Sequence, residues 1–317
     1  MITVLTGGTG GAKFVDGLRR VVPGRDLTII VNTGDDLAWW GLNVSPDIDS
    51  IVYALAGLLS KDRGWGVDAD TFNCLESMRR LGQPAWFGLG DRDIALHLLR
   101  TRLLASGKTL TEVTAEICRR LGIEATVLPM TDGQLQTRVL TPGGELSFQE
   151  YFVRERHGVP VEAVRFEGSA GVKPAPGVLE SIARADVLLI APSNPITSIG
   201  PILAIAEIRR ALCDTQAPVV AISPIVGDAA VSGPAGELMR SQGLPVSVLG
   251  VAQSYREFLD VIVIDDRDVA ASSALEAMGI RPVVTSILMR SSEDKLRLAK
   301  TALDCCILIS GAPPAVS

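Results

Sequence analysis

The chain has 317 residues, of which 47% are hydrophobic and 21% charged, enough for a sizeable core in one large α/β domain or two ordinary ones. Its net charge is −6, with a pI near 5.1 and no basic run, which argues against nucleic acid as a main partner. It shows no N-terminal signal pattern and no uninterrupted apolar stretch of about 18 residues, so a cytoplasmic protein without membrane contact is expected.

"MITVLT" opens the chain as a short β-branched strand at 2–6. Phe14, Val15, Leu18, Val21 and Val22 recur at helical spacing and predict a helix over 12–22. Between them lies "LTGGTGGAK". Gly7, Gly8, Gly10 and Gly11 on a strand-to-helix turn let a ligand approach the main chain closely, and the helix N-terminus favours an anion. The loop is not a Walker motif, because Ala12 precedes Lys13 and Phe14 follows it. It is not a dinucleotide fingerprint either, because Lys13 stands where a third glycine belongs. It reads as a phosphate or diphosphate cradle of another kind, formed by Gly7, Gly8, Thr9, Gly10, Gly11 and Lys13. A plain tight turn does not need four glycines.

"DLTIIVN" at 26–32 completes a strand–helix–strand start. That implies a Rossmann-like α/β fold: three α/β/α layers on a mostly parallel sheet, with ligands at the C-terminal strand ends. "NTGDD" at 32–36 falls on that edge. Residues about 45–122 predict a helical insertion, opened by Ser45 as N-cap and Pro46 at the first helical position, with Thr109 or Thr111 capping its last helix. "ATVLPMT" at 125–131 returns to strand. The segment about 134–153 alternates around "PGG" and predicts a β-hairpin. Residues 158–177 carry the crossing to the second half, where "ADVLLIAPSNP", "APVVAISPIVG" and "LDVIVIDDRD" are three apolar strands ending in polar loops. No linker separates two domains, so 1–317 reads as one α/β unit.

Aspartates dominate the candidate site. Asp35 and Asp36 follow a strand at the ligand edge, and carboxylates beside a phosphate cradle suggest Mg²⁺; turn aspartates stabilising their own loop are the alternative. Asp47 is accounted for equally well by the helix dipole, Asp49 less so. Two residues apart on a helix, they point to different faces, so at most one is expected to face the site. In "GLGDRDIALH" capping explains Asp91 or Asp93 but not Arg92, which reads as an anion binder or the partner of an acid. The loops "APSNPITSIGPIL" (191–203) and "ISPIVGDAAVSGPAG" (222–236) offer rigid polar surfaces for a base or ribose. Five cysteines without a C-x-x-C pair predict reduced, mostly buried thiols rather than a zinc site. Of two histidines, His97 sits in a helical pattern and reads as structural.

Taken in order, "LTGGTGGAK", "VNTGDD", "SPDIDSIVYALAG", "GDRD", "APSNPITSIGPIL" and "SPIVGDAAVSGPAG" resemble the 2-phospho-L-lactate transferase family, which makes the deazaflavin coenzyme F420, across nearly the whole chain. The resemblance implies an enzyme that moves a phospholactyl-type group from a guanosine diphosphate-linked donor onto the terminal ribityl hydroxyl of the deazaflavin Fo. GMP is released and Mg²⁺ is required. The transferred unit in this family derives from lactate, enolpyruvate or glycerate. The cradle from Gly7 to Lys13 would contact the donor phosphates, and Ser193, Asn194 and Pro195 would help form the guanosine site. Asp35 and Asp49 match positions implicated in metal and Fo binding. Asp49 or a metal-bound oxygen would assist deprotonation of the hydroxyl, and Arg92 matches the family's arginine. Some of Trp39, Trp40, Trp65 and Trp86 would flank the deazaflavin ring, with buried packing the role of most. A homodimer is the family expectation. Two other readings are a non-catalytic, nucleotide-sugar-binding regulator of the same fold and a nicotinamide oxidoreductase, the latter opposed by the missing third glycine.

Overall fold

The computed structural model describes residues 1–60 and 63–310. Seven strands build its central sheet: β1 (Ile2–Thr6), β2 (Leu27–Val31), β3 (Thr126–Pro129), β4 (Val187–Ile190), β5 (Val219–Ile222), β6 (Val261–Ile264) and β7 (Arg281–Val284). Their order is β7-β6-β5-β4-β1-β2-β3, and every neighbouring pair is parallel. Alternate residues feed two separate cores, one per face. Leu5, Ile30, Leu188, Ile190, Ile262 and Ile264 point to one, and Val4, Ile29, Val31, Leu189, Val220 and Val263 to the other. Both faces are apolar because helices cover both, as a parallel sheet requires. β7 escapes sequence reading: it is short and carries Pro282, which a sheet tolerates at an edge.

The order reverses beside β1. The chain steps outward from β1 to β2 and β3, then returns to lay β4 on the other side of β1. A crevice therefore opens above the C-terminal ends of β1 and β4, the place where open α/β sheets bind ligands.

The first helix, α1, runs Gly8–Leu18 rather than over 12–22. The glycines are its first turn, not a loop before it; amides there have no intrahelical partner, so glycine costs little helix stability at that end. The insertion between β2 and β3 contains α2 (Pro46–Ala56), α3 (Asn73–Arg80), α4 (Asp91–Ala105) and α5 (Leu110–Arg120). Thr109 caps α5, accepting the Glu112 N–H at 3.2 Å, whereas Thr111 bonds Asp132. The expected hairpin is shorter than 134–153. Its arms are Gln136–Thr141 and Gly144–Ser147, followed by a wide helical turn over Glu150–Arg154. A third strand, Ala163–Glu167, pairs antiparallel with the first arm, inside the segment read as a crossing. A small ribbon, Leu37–Trp39 with Leu42–Val44, turns through Trp40 and Gly41, both at positive φ.

Among the described cysteines, Cys118 and Cys305 are buried, Cys74 is half-buried and Cys213 is exposed; none is bonded to another, and the side chain of Cys306 lies outside the described residues.

Candidate active site

A cavity of about 560 Å³ lies over the C-terminal edge of the sheet. Its floor on the sheet side is the start of α1. Gly7 is extended and Gly8 takes a left-handed φ of 66°, a conformation that favours glycine. Gly10 and Gly11 are glycine for lack of room: a Cβ on Gly10 would stand 2.3 Å from the Pro192 carbonyl oxygen, and one on Gly11 1.8 Å from Thr6 Oγ1. The turn after β1 thus presses against the loop after β4, and hydrogen bonds tie the two. Ser193 Oγ donates to the Gly7 carbonyl at 2.7 Å and accepts the Gly7 N–H at 3.3 Å. Asn194 Oδ1 accepts the Ile196 N–H at 2.9 Å, which stiffens that loop.

Of the cradle and loop residues singled out in the sequence, Gly7, Gly8, Thr9, Gly10, Lys13, Ser193 and Asn194 line the cavity. Gly11 and Pro195 are buried behind the wall. Lys13 has no ion pair among the described residues, and it is the cradle's one cationic side chain. The third loop contributes Ser223, Pro224 and the stretch from Val231 to Ala235, on the edge where the strand pattern put it.

Carboxylates crowd the opposite side of the cradle. Asp47 accepts from Asn32 Nδ2 at 2.9 Å and from the Gly8 N–H, at the end of α1 where an anion is favoured. Burial nevertheless pushes its carboxyl up to about 6. Burial first, then the charge of Asp47, hold Asp35 well above the usual carboxylate range, and Asp35 Oδ1 is a buried oxygen without a hydrogen-bond partner. Ser45 does not cap α2 with its side chain; its Oγ donates to Asp36 Oδ2 at 2.6 Å. Asp36 is raised as well, by burial, against that hydrogen bond and the charge of Arg100. Among the described residues, no three His, Cys, Asp or Glu side chains converge as a self-sufficient metal site.

Asp47 and Asp49 both line the cavity, against the expectation that at most one would. α2 meets the cavity along one face, through Pro46, Asp49, Ser50 and Tyr53, and Asp47 reaches it as well from the first turn. Asp47 turns to the cradle and Asp49 turns to α4, where the buried Arg100 grips both of its oxygens, Nη1 to Oδ2 at 3.1 Å and Nη2 to Oδ1. Burial opposes the charge on Arg100, but Asp49 more than offsets it, and the guanidinium is held above its ordinary value. Arg100 Nη1 also meets His97 Nδ1 at 3.1 Å. Burial holds the His97 imidazole down at about 4, outweighing the charge of Asp49, so it is neutral near pH 7.

Asp91, Arg92 and Asp93 go three ways, because successive helical residues turn by about 100°. Asp91 caps α3, accepting from Asn73 Nδ2 and the Cys74 N–H, each at 2.9 Å, and the Thr71 hydroxyl at 2.5 Å first, then these bonds, hold it at about 2. Asp93 lines the cavity and is pushed up to about 6 by burial, reinforced by the charge on Asp49. Arg92 is exposed and outside the cavity wall, its Nη1 donating to the Asp68 carbonyl at 3.1 Å. The structure does not bring Arg92 together with Asp35 and Asp49, although its sequence position suggested that it would.

The insertion supplies Tyr53, Trp65, Phe87, Leu89, Asp93 and His97 to the far wall. Trp39 and Trp86 pack edge-to-face at 4.6 Å, with Trp40 and Phe87 around them, and only Trp65 of the four tryptophans reaches the cavity. Arg100 and the wall position of His97 escaped sequence reasoning. A signal existed: Asp93, His97 and Arg100 lie four and three residues apart, a polar stripe on one face of an otherwise leucine-rich helix.

The family model described as 2-phospho-L-lactate transferase CofD matches residues 2–295. The chain belongs to the 2-phospho-L-lactate transferase family. It is 44% identical over 298 residues to the 2-phospho-L-lactate transferase of Methanococcoides burtonii, covering 94% of this chain and 96% of that one. It is 43% identical over 308 residues to the phosphoenolpyruvate transferase of Streptomyces coelicolor, covering 95% and 97%. The chain is therefore an enzyme of this transferase kind. A crystal structure of a upf0052-family protein from Bacillus halodurans shares the fold, with a TM-score of 0.66 at 18% identity over 95% of this chain and 98% of that one. No helix among the described residues is long and apolar enough to cross a membrane.

Proposed function

We propose that this transferase moves a phospholactyl or phosphoenolpyruvyl group from a guanosine diphosphate-linked donor to the deazaflavin Fo, releasing GMP, in the biosynthesis of coenzyme F420. One observation carries the reading: a single cavity has two unlike halves. The sheet-side half, built from the α1 amides, Lys13 and the Pro192–Ser198 loop, suits a diphosphate and its nucleoside. The insertion-side half, with Asp49, Tyr53, Asp93 and His97 beside Trp65 and Phe87, suits a polyhydroxylated chain carrying a flat ring.

In this reading the α1 amides and Lys13 hold the diphosphate in line with the acceptor. The acceptor hydroxyl oxygen forms a bond to the phosphorus bearing the three-carbon unit. The bond from that phosphorus to the GMP oxygen breaks, GMP leaves with the electron pair, and the hydroxyl proton passes to Asp49. Positioning and charge neutralisation do most of the catalysis in such transfers. His97 Nδ1 faces the Arg100 guanidinium at 3.1 Å and is not free to take that proton, so we assign the base to a carboxylate.

The residues fit Mg²⁺. Asp35 has a buried oxygen without a partner, and Asp35 and Asp47 stand where diphosphate charge would otherwise be repelled. These two would hold the ion together with phosphate oxygens. Bound there, the ion would neutralise charge on the transferred phosphoryl group. Asp49, the other ligand suggested by sequence, turns to Arg100 on α4 and away from the cradle, so we assign the second position to Asp47.

The test is a mass-spectrometric assay with Fo, Mg²⁺ and each of the lactate-, enolpyruvate- and glycerate-derived guanosine donors in turn. A mass gain on Fo is expected, and its size names the three-carbon unit. Folded protein that binds guanosine diphosphate yet yields no product with any donor overturns the proposal.

A further inference from the structure

We infer that Arg100 is a positioning residue that locks His97 in the Nε2–H tautomer, so that His97 donates a hydrogen bond to an oxygen of the acceptor substrate. The argument begins with Arg100, which has no solvent exposure. A guanidinium only donates, and it stays protonated in proteins. At 3.1 Å from Arg100 Nη1, His97 Nδ1 must therefore be the acceptor and carry no proton. A neutral imidazole has one N–H, so the proton sits on Nε2. The same guanidinium grips Asp49, and His97 Nδ1 lies 3.6 Å from Asp49 Oδ2. One buried cation thus orients two side chains of the insertion-side wall.

Nε2 is the unexplained atom. His97 is 2% exposed and forms part of the cavity wall, and Nε2 has no hydrogen-bond partner among the described residues. Buried donors are almost always paired, so an orphan donor in a cavity wall points to a partner on the ligand. That partner must be an acceptor oxygen. The neighbours Asp49, Tyr53 and Asp93 place it in the half assigned above to the acceptor substrate, and that part of the inference rests on the proposed function. A hydroxyl or ring carbonyl oxygen matches a neutral donor. The diphosphate lies against α1, on the other side.

The chain has only two histidines, so the test is direct. Long-range ¹H–¹⁵N spectra of the whole protein, with His97→Phe assigning the signals, should show His97 protonated at Nε2 and bare at Nδ1. Arg100→Lys should release the lock and give mixed tautomers. Adding Fo should shift the His97 Nε2–H resonance. In fluorescence titrations His97→Phe should weaken Fo binding roughly tenfold while guanosine diphosphate affinity holds, and His97→Gln, whose amide can place a donor near Nε2, should recover much of the loss. Should Arg100→Lys fail to fold, the two His97 variants still decide. An Nδ1–H tautomer in the wild type, or Fo binding unaffected by His97→Phe, overturns the inference. Wild-type protein that does not bind Fo overturns the proposed function and the ligand named here, while the tautomer is still read from the spectrum.

Discussion

Asp49 is the residue on which site and stability meet. Its carboxylate compensates the buried charge of Arg100 and, in the proposed chemistry, takes the acceptor proton. Asp49→Asn should lower kcat by roughly 10²- to 10⁴-fold. It should also destabilise the fold by about 3–5 kcal/mol, because Arg100 is left buried without a counter-ion. Steady-state kinetics and denaturant melts on the same preparation check both, and near-normal turnover would sink the role. Asp93 makes a different prediction. Its carboxyl keeps its proton up to about 6 in the folded chain, against an ordinary 3.8. Through that window the unfolded chain binds fewer protons, so stability falls as pH rises and levels off above the folded value. Asp93→Asn removes that loss while keeping an oxygen for the Gly90 N–H. The variant should gain on the wild type by roughly 1–3 kcal/mol between about pH 4 and pH 7. Parallel stability profiles for the two proteins would contradict it.

At the scale of elements, α1 works by its end. It points its first turn into the cavity, whereas α2 lines the cavity along a face from Pro46 to Tyr53, with Asp47 added from its first turn. The first turn of α1 is glycine because the loop after β4 lies against it. Gly10→Ala sets a methyl 2.3 Å from a backbone carbonyl, which cannot swing aside as a side chain would. We predict a loss of about 1–3 kcal/mol in stability and a rise of at least several-fold in donor KM, with acceptor KM far less affected. Equal effects on both substrates would mean that α1 does not divide the cavity as argued. α4 contributes differently, by a polar stripe along its length, Asp93–His97–Arg100, that faces the buried side.

Across the whole molecule, the cavity collects acids from three places: the β2 edge with Asp35, the start of α2 with Asp47 and Asp49, and the start of α4 with Asp93. Lys13 and the Asp49-paired Arg100 are the cations set against them. In the proposed reading such a site takes up a diphosphate only with added positive charge, and no three side chains among the described residues hold a cation unaided. Mg²⁺ and guanosine diphosphate should therefore stabilise the protein together far more than either alone. At a hundredfold excess over Kd the pair should contribute about 2.7 kcal/mol, a shift of several degrees in Tm that EDTA reverses. Additive shifts from metal and nucleotide separately would refute the linkage.

Local chemistry determined the elements and the family. The β-branched runs become strands, the glycine run marks the turn from β1 into α1, Pro46 starts a helix, and the ordered motifs identify the transferase family. These depend on neighbours within one turn or one strand, where spacing translates directly into geometry. The extra strands at Arg281–Val284 and Ala163–Glu167 were not legible, because each exists only by pairing with a distant partner. The division of labour among the aspartates was not legible either. Asp49 and Arg100 are 51 residues apart, and Asn32 and Asp47 meet across a turn and a ribbon. Arg92 has the better sequence credentials, yet Arg100 is the arginine bonded to the cavity-lining Asp49 and His97. Which of the three arginines on α4 turns inward is decided by the surface the helix packs against, and only the tertiary structure supplies that surface.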